Sequence, residues 1–443
     1  MTRRAAAEGQ LRGASGGAAV DRAGTERVPS RARRSTAKPR PAGKLKDSSL
    51  VSFHAIWVVA LILLVVGLCM MLSVSVARAL TPGGDKYLYV KQQGITALAG
   101  VIGLILISRL DYRKLRGASV VLAALVAGVL LLMHIPGVSE SSGGASSWIP
   151  LGPITFQPSE FAKLAVVLAG AHLLSMRKSR TDDFKSFMLP FGAVGGLMCL
   201  LVLAEPDLGT AIIIAGLLLG LLWIGGMKLR HWIMVTGVGA AGAAAFTFSS
   251  PVRMARILSF LNPSADPHGT SFQLSQSLVA LGRGGWFGVG PGESVQKFSY
   301  LPKAHTDMIF AIFGEEFGLI GAGLVILLFG IFAVACWRLA RQCADPMGRY
   351  LLAGCGMLVT LQAVVNIGGV IGALPLTGVP LPFISYGRNS LIVMLLTVGL
   401  ILSVARSAPA LRGPSVVKRY ENVTHIDRRR GDRGARSARP RAR

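Results

Sequence analysis

Apolar residues in this chain fall in long unbroken runs, not in alternation. His54 to Ala77 carries no charged residue, and a helix crossing a hydrocarbon layer of roughly 30 Å needs about 20 predominantly apolar residues. Further runs are centred near Leu104, Ala124, Val167, Met198, Leu217, Gly239, Leu327, Val359 and Leu396. The pattern predicts an all-α polytopic membrane protein of about ten transmembrane helices, with residues 49–408 as its membrane domain. Residues 1–48 and 409–443 are rich in Arg, Ala, Gly, Ser and Pro. They hold too little apolar surface to fold alone and are expected to be disordered basic tails.

The formal charge of +26 would suit a nucleic-acid binder, so its placement decides its meaning. Twelve Lys/Arg precede residue 49 and another twelve follow residue 405. Most of the others fall in segments that face one side of a ten-helix path: Arg109–Arg116, Arg177–Lys185, Lys228–Arg230 and Arg338–Arg349. The alternate loops at Ser139–Thr155 and around Glu205 contain none. Such asymmetry places both termini in the cytoplasm of a multi-pass inner-membrane protein. The tails then sit against anionic lipid headgroups; lacking the aromatic side chains used for base stacking, they do not point to nucleic acid. Five cysteines with no CxxC pair, all in or near apolar runs, suggest neither a disulfide framework nor a metal site.

Two segments on the expected outer side exceed what topology requires: Pro136–Pro158, and the large loop Ser249–His305. Loops of such length are usually functional or disordered, and the second is not disordered in composition. Its stretch "SFQLSQSLVALGRGG" reads as a short interfacial or re-entrant helix. Phe272, Leu274, Leu278 and Leu281 would lie in the interface, with Gln273, Gln276 and Ser277 facing a polar cavity.

Ionisable residues inside a bilayer cost at least about 2.5–3.5 kcal/mol each, so each calls for a reason. Glu160 and Lys163 share a helix face at i,i+3, as a structural ion pair or as the wall of a substrate cavity. In "AEPDLGTA", Pro206 stops helix continuation and Asp207 is placed to cap the next helix, whereas Glu205 has no such simple role. Asp307 lies where the large loop meets the membrane beside His305 and Thr306, either as a helix N-cap or as a general base. Glu315 and Glu316 point about 100° apart and are expected to be structural. These residues alone define an acid-lined, outward-facing cavity, compatible with a transporter, a pump or a lipid-processing enzyme.

Four motifs in order narrow the choice: "FQPSEFAKL" (Phe156–Leu164), "EPDLGTA" (Glu205–Ala211), "GESVQKFSYLPKAHTDMIFAIFGEEFG" (Gly292–Gly318) and "LPLTGVPLPFISYG" (Leu374–Gly387). Together, over His54–Ser407, they resemble the SEDS family of cell-wall polymerases, which includes RodA and FtsW. "SVQK" and "YLPKAHTD" are closer to its division branch, FtsW. The resemblance implies ten transmembrane helices and polymerisation of lipid II into glycan strands at the outer face of the cytoplasmic membrane. It further implies a class B penicillin-binding protein as partner through transmembrane helices, along with other division proteins at the septum. Asp307 matches the presumed catalytic residue. Glycosyl transfer also needs charge stabilisation for the leaving pyrophosphate. Arg283, Lys297 and Lys303 are candidates on the large loop, and a divalent cation such as Mg or Mn, with Asp307 as a ligand, is a further candidate. Glu160, Lys163, Glu205, Gln276, His305, Ser385 and Arg388 complete the expected substrate-binding set. Lys303 stands where relatives often carry an acid, Ser299 is a second such departure, and Arg388-Asn389 replace small residues after "SYG". Arg388 is expected either to contact phosphate or a partner, or to be a plain surface charge. Two other readings stay open: a lipid II flippase or transporter on the same fold, and a non-catalytic scaffold for the synthase.

Overall fold

The computed structural model describes residues 47–78, 85, 87–135, 140–142, 145–152, 154–176, 184–262, 271–298 and 300–407. Both basic tails, apart from the first helix's opening residues, lie outside the described residues, as does Ser299. Among the described residues, twelve α-helices run in chain order: α1 (Asp47–Arg78), α2 (Leu88–Arg109), α3 (Leu115–Leu132), α4 (Pro158–Ser175), α5 (Phe184–Ala204), α6 (Leu208–Ile224), α7 (Leu229–Phe248), α8 (Pro251–Leu261), α9 (Phe272–Gly284), α10 (Ile309–Gln342), α11 (Pro346–Val370) and α12 (Arg388–Ser407). Every predicted apolar run falls inside one of them. Seven (α1, α2, α3, α7, α10, α11 and α12) have the length and composition to cross a membrane, and α5 and α6 contain shorter apolar stretches. The tenth is α4, made less apolar by Glu160 and Lys163, yet buried along nearly its whole length.

Between α3 and α4 the chain forms a feature that the apolar pattern did not reveal. Strands β1 (Glu140–Ser142), β2 (Ala145–Leu151) and β3 (Ile154–Phe156) make a three-stranded antiparallel meander. Ile149 pairs with Phe156 and Leu151 with Ile154, carrying Trp148 to the mouth of the cavity described below.

In a bilayer, helices associate through close packing more than through hydrophobic driving force, so small residues matter at their contacts. A Cβ on Gly399 of α12 would stand 2.8 Å from the Leu104 carbonyl oxygen of α2, so glycine is what lets these two helices lie together. Helix α11 packs between α4 and α10 and forms the centre of the bundle.

Helix α10 breaks at Gly318 (φ 67°, ψ −169°), roughly 14 Å along its axis at 1.5 Å per residue. The break releases the amides of Leu319 and Ile320 and the carbonyls of Glu315 and Glu316. The segment after α9 takes up all four. Leu319 N–H donates to Gly285 (2.9 Å) and Ile320 N–H to Trp286 (3.2 Å), while Val289 and Gly290 donate to the Glu315 and Glu316 carbonyls (3.0 and 3.1 Å). An open backbone inside a membrane protein is tolerated only when satisfied in this way. A Cβ at Gly318 would lie 2.4 Å from Gly288 N and 2.5 Å from the Trp286 oxygen. Gly318→Ala is therefore expected to destabilise the protein by more than about 2 kcal/mol, read as a lower thermal midpoint in detergent; an unchanged midpoint would contradict this account of the break.

Candidate active site

Helix α4 begins at Pro158, fixed by its ring for the first turn. This puts Glu160 and Lys163 one turn apart, their charged atoms 2.8 Å from each other and both side chains at most 3 % exposed. The Lys163 ammonium also donates to Gln362 Oε1 of α11 (2.7 Å), and the Gln362 amide donates to the Pro380 carbonyl and Ser390 Oγ (2.9 Å each). One turn on, Asn366 Nδ2 donates to the main-chain oxygens of Asp307 and Val379, both at 2.8 Å. The α11–α12 connection is thus held against α4 and the start of α10 by side chains of a single helix.

The space these elements enclose is a cavity of about 700 Å³. Its wall comprises Glu160 of α4, Asp207 at the α5–α6 turn, Arg253 of α8, Gln273 of α9, the Lys303–Asp307 turn, Thr377–Pro380, and Tyr386, Asn389 and Ser390. Asp307 is 7 % exposed. Its Oδ1 accepts from Thr306 Oγ1 (2.7 Å), and Gly378, with φ +72°, brings backbone close to Oδ2. The carboxylate does not cap α10, which starts at Ile309 with Met308 as its N-cap residue and no side-chain cap bond. Asp207 does cap α6, accepting from Thr210 N (3.0 Å) and from Ser159 Oγ (3.3 Å). His305 stacks on Tyr89 (ring centroids 4.4 Å apart) and meets Tyr386 edge-on.

Of the residues singled out from sequence, Glu160, Lys303, His305 and Asp307 share this cavity, with Lys163 directly behind Glu160. Gln273, singled out for facing a polar cavity, lines it as well, whereas Glu205, Gln276, Arg283, Lys297, Ser385 and Arg388 do not. Lys297, expected to face phosphate, is 5 % exposed and pairs with Glu316 (3.1 Å) and Ser73 (3.1 Å). Arg283 lies 3.7 Å from Glu315, whose carboxylate also accepts from Ser294 Oγ, Val295 N and Gln296 N. A buried ammonium or carboxylate must find an opposite charge, and Glu315 and Glu316 claim these two cations. Gln276 sits one turn beyond Gln273, past the cavity edge. Helix α9 leaves Leu278 exposed and sets Gln273 in the cavity wall as expected, but it turns Leu274 and Ser277 inward, with Ser277 Oγ donating to the Val370 carbonyl of α11 (2.9 Å). Ser385 Oγ accepts from Leu381 N (2.7 Å) and closes a turn. Arg388 donates to Thr155 Oγ1 (3.2 Å), tying α12 to β3.

Arg253 is the cavity cation that sequence reading passed over. Its guanidinium lies 3.6 Å from the Phe246 ring centroid and bonds the Phe246 carbonyl. An arginine within an otherwise outward-facing loop, against the usual charge bias, was the available signal. Gln362 and Asn366, polar at i,i+4 in an apolar run, were equally visible and unread. Among the described residues no three His, Cys, Asp or Glu side chains gather in a way that could hold a metal ion, so the cavity wall does not itself build a cation centre.

Glu205, 3 % exposed at the α5–α6 turn, stands behind the wall. Burial, with the neighbouring Asp207 charge adding to it, pushes its carboxyl up to about 8. A folded-state value above the unfolded 4.5 means that the folded protein binds the proton more tightly. Its contribution to stability is full below pH 4.5 and is lost as pH rises through about 8. Between pH 6 and 9 the wild-type thermal midpoint is expected to fall more than that of Glu205→Gln; parallel declines would refute the shift.

A many-helix membrane bundle with a charged cavity at the ends of its helices defines a polytopic membrane protein built around a polar site. Residues 53–409 match the FTSW_RODA_SPOVE family, described as "Cell cycle protein". The chain is 38 % identical to the stage V sporulation protein E of Bacillus subtilis, covering 79 % of this chain and 95 % of the relative. It is 39 % identical to the probable peptidoglycan glycosyltransferase FtsW of Nitrosococcus halophilus, covering 81 % and 93 %. Among solved structures it resembles a chain from a peptidoglycan synthase complex (26 % identity, 79 % and 96 % covered, TM-score 0.67) and the rod shape determining protein RodA of Thermus thermophilus (26 %, 80 % and 97 %, TM-score 0.59). This chain belongs to the FtsW/RodA/SpoVE family.

Proposed function

We propose that this protein is a peptidoglycan glycosyltransferase that polymerises lipid II into glycan strands at the outer face of the cytoplasmic membrane, for septal wall synthesis. Its termini lie in the cytoplasm, its tails rest on anionic lipid, and it works with a class B penicillin-binding protein held through transmembrane helices. One observation carries the reading. Asp307 is a carboxylate not spent on capping a helix, set in the wall of a cavity large enough for sugar rings, with Lys303 and Arg253 on the same wall. The glycosyltransferase names of relatives such as the Nitrosococcus FtsW support the activity.

The chemistry follows from this placement. Asp307 takes the proton of the acceptor sugar hydroxyl as that oxygen bonds to the donor's anomeric carbon. The bond from that carbon to pyrophosphate breaks, and its electron pair leaves with the pyrophosphate. Lys303 and Arg253 offset the charge that develops there. Because the donor brings its own lipid, a site within the membrane domain suffices.

The test is turnover. Full-length protein with its partner, in proteoliposomes holding labelled lipid II, is expected to yield glycan strands. Labelled lipid crossing the bilayer with no polymer formed would replace this reading with a transporter.

A further inference from the structure

We propose that Asn366 of α11 is a positioning residue for Asp307, acting through the Asp307 main chain and through one buried water held on its own side-chain oxygen. The inference rests on the reading of Asp307 as the general base and goes on to say what fixes that base in place.

The amide orientation of Asn366 is determined by its neighbours. Nδ2 spends both N–H groups on main-chain carbonyls, Asp307 O and Val379 O, each 2.8 Å away. A flipped amide would set oxygen against oxygen at both contacts, so Oδ1 must occupy the other side. These two bonds join the residue that carries the carboxylate to the segment that borders it, since Val379 follows Gly378, where a Cβ would stand 3.7 Å from Asp307 Oδ2. The base and the opposing wall are thereby set at a fixed spacing by one side chain.

The second half of the amide points to the water. Asn366 is 4 % exposed, and among the described residues its Oδ1 has no hydrogen-bond partner. Buried polar atoms are satisfied in nearly all folded proteins, by solvent where protein is lacking. Beside Asn366 lies a second, small cavity of about 10 Å³, bordered by Asp307, Gly369, Thr377 and Gly378 as well as Asn366. That is close to the space needed for a single water molecule. A water there donates one hydrogen to Asn366 Oδ1 and keeps the other for the Asp307 side of the pocket. It supports Asp307 from a small cavity that shares Thr377, Gly378 and Val379 with the wall of the large one. Gln362, one turn earlier, has its oxygen taken by Lys163 and cannot supply the same support.

The experiment compares wild type, Asn366→Ala, Asn366→Ser and Asp307→Asn as full-length proteins with the partner, using labelled lipid II and normalising to folded protein. Asn366→Ala is expected to lower kcat by about tenfold or more, because a small misplacement of a reacting group is costly. KM is expected to change little. Asn366→Ser, which keeps one donor and leaves room for an added water, is expected to recover part of kcat; it carries the measurement if the alanine variant does not fold. Wild-type kcat in the folded variants overturns the positioning role, as does a loss carried by KM alone or one that only tracks loss of folded protein. A structure with ordered solvent should show a water within hydrogen-bonding distance of Asn366 Oδ1, and a dry pocket there overturns the water. Full turnover by Asp307→Asn removes the general base itself, a failure distinct from either of these.

Discussion

Asp307→Asn is expected to lower lipid II polymerisation by about 10²–10⁴-fold, the usual worth of a general base, while the protein folds as before. The substitution keeps the side chain's shape and removes only its ability to accept the sugar proton. Little structure depends on the charge. The carboxylate's one resolved hydrogen bond is to the adjacent Thr306, and α10 takes its N-cap residue from Met308 instead. The measurement is the rate of strand formation from labelled lipid II alongside the thermal midpoint. A variant that polymerises at the wild-type rate would leave the cavity without its base. A variant that loses activity and stability together would place Asp307 in the scaffold.

The second large effect concerns Lys163. Lys163→Met leaves the Glu160 carboxylate, 3 % exposed, without the ammonium now 2.8 Å away, and strips Gln362 Oε1 of its donor. Removing one partner of a buried ion pair typically costs about 3–5 kcal/mol. The double variant Glu160→Gln with Lys163→Met carries no stranded charge and is expected to regain much of that stability. It is not expected to regain activity, because Glu160 lines the cavity. Thermal unfolding of the single and double variants checks the first claim, and strand formation checks the second. If the double variant is no more stable than Lys163→Met, the stranded Glu160 charge is not the source of the loss.

Much of this molecule could be read from its residues, and the exceptions share a cause. Apolar runs located the bundle because span length is a local property, and "EPDLGTA" announced its own cap because Asp207 bonds only three residues away. The roles of Arg283 and Lys297 were not local. Each is neutralised by a glutamate on another element, and nothing in a linear sequence states that Glu315 and Glu316 are already claimants. The adjacency of those glutamates did carry information: side chains pointing about 100° apart serve two different partners, as they do here. The meander β1–β3 escaped notice because two of its strands are three residues long and the first two are rich in Ser, with too few positions for alternation to register. The break in α10 was hidden for another reason. Gly318 is one of several glycines in an apolar span, and only the approach of Gly285–Gly290 distinguishes it from Gly314 or Gly321.

That stitched break also limits how a long-tailed molecule can arrive. Peeling the segment behind α9 away from α10 would strand four peptide groups in a dry medium, at several kcal/mol apiece, so this side of the site behaves as masonry. On the other side, α7 buries none of its side chains and leads directly into α8, which carries Arg253. Its seating is then a matter between helix and lipid, so the thickness of the surrounding bilayer bears on this helix more than on any part of the stitched side.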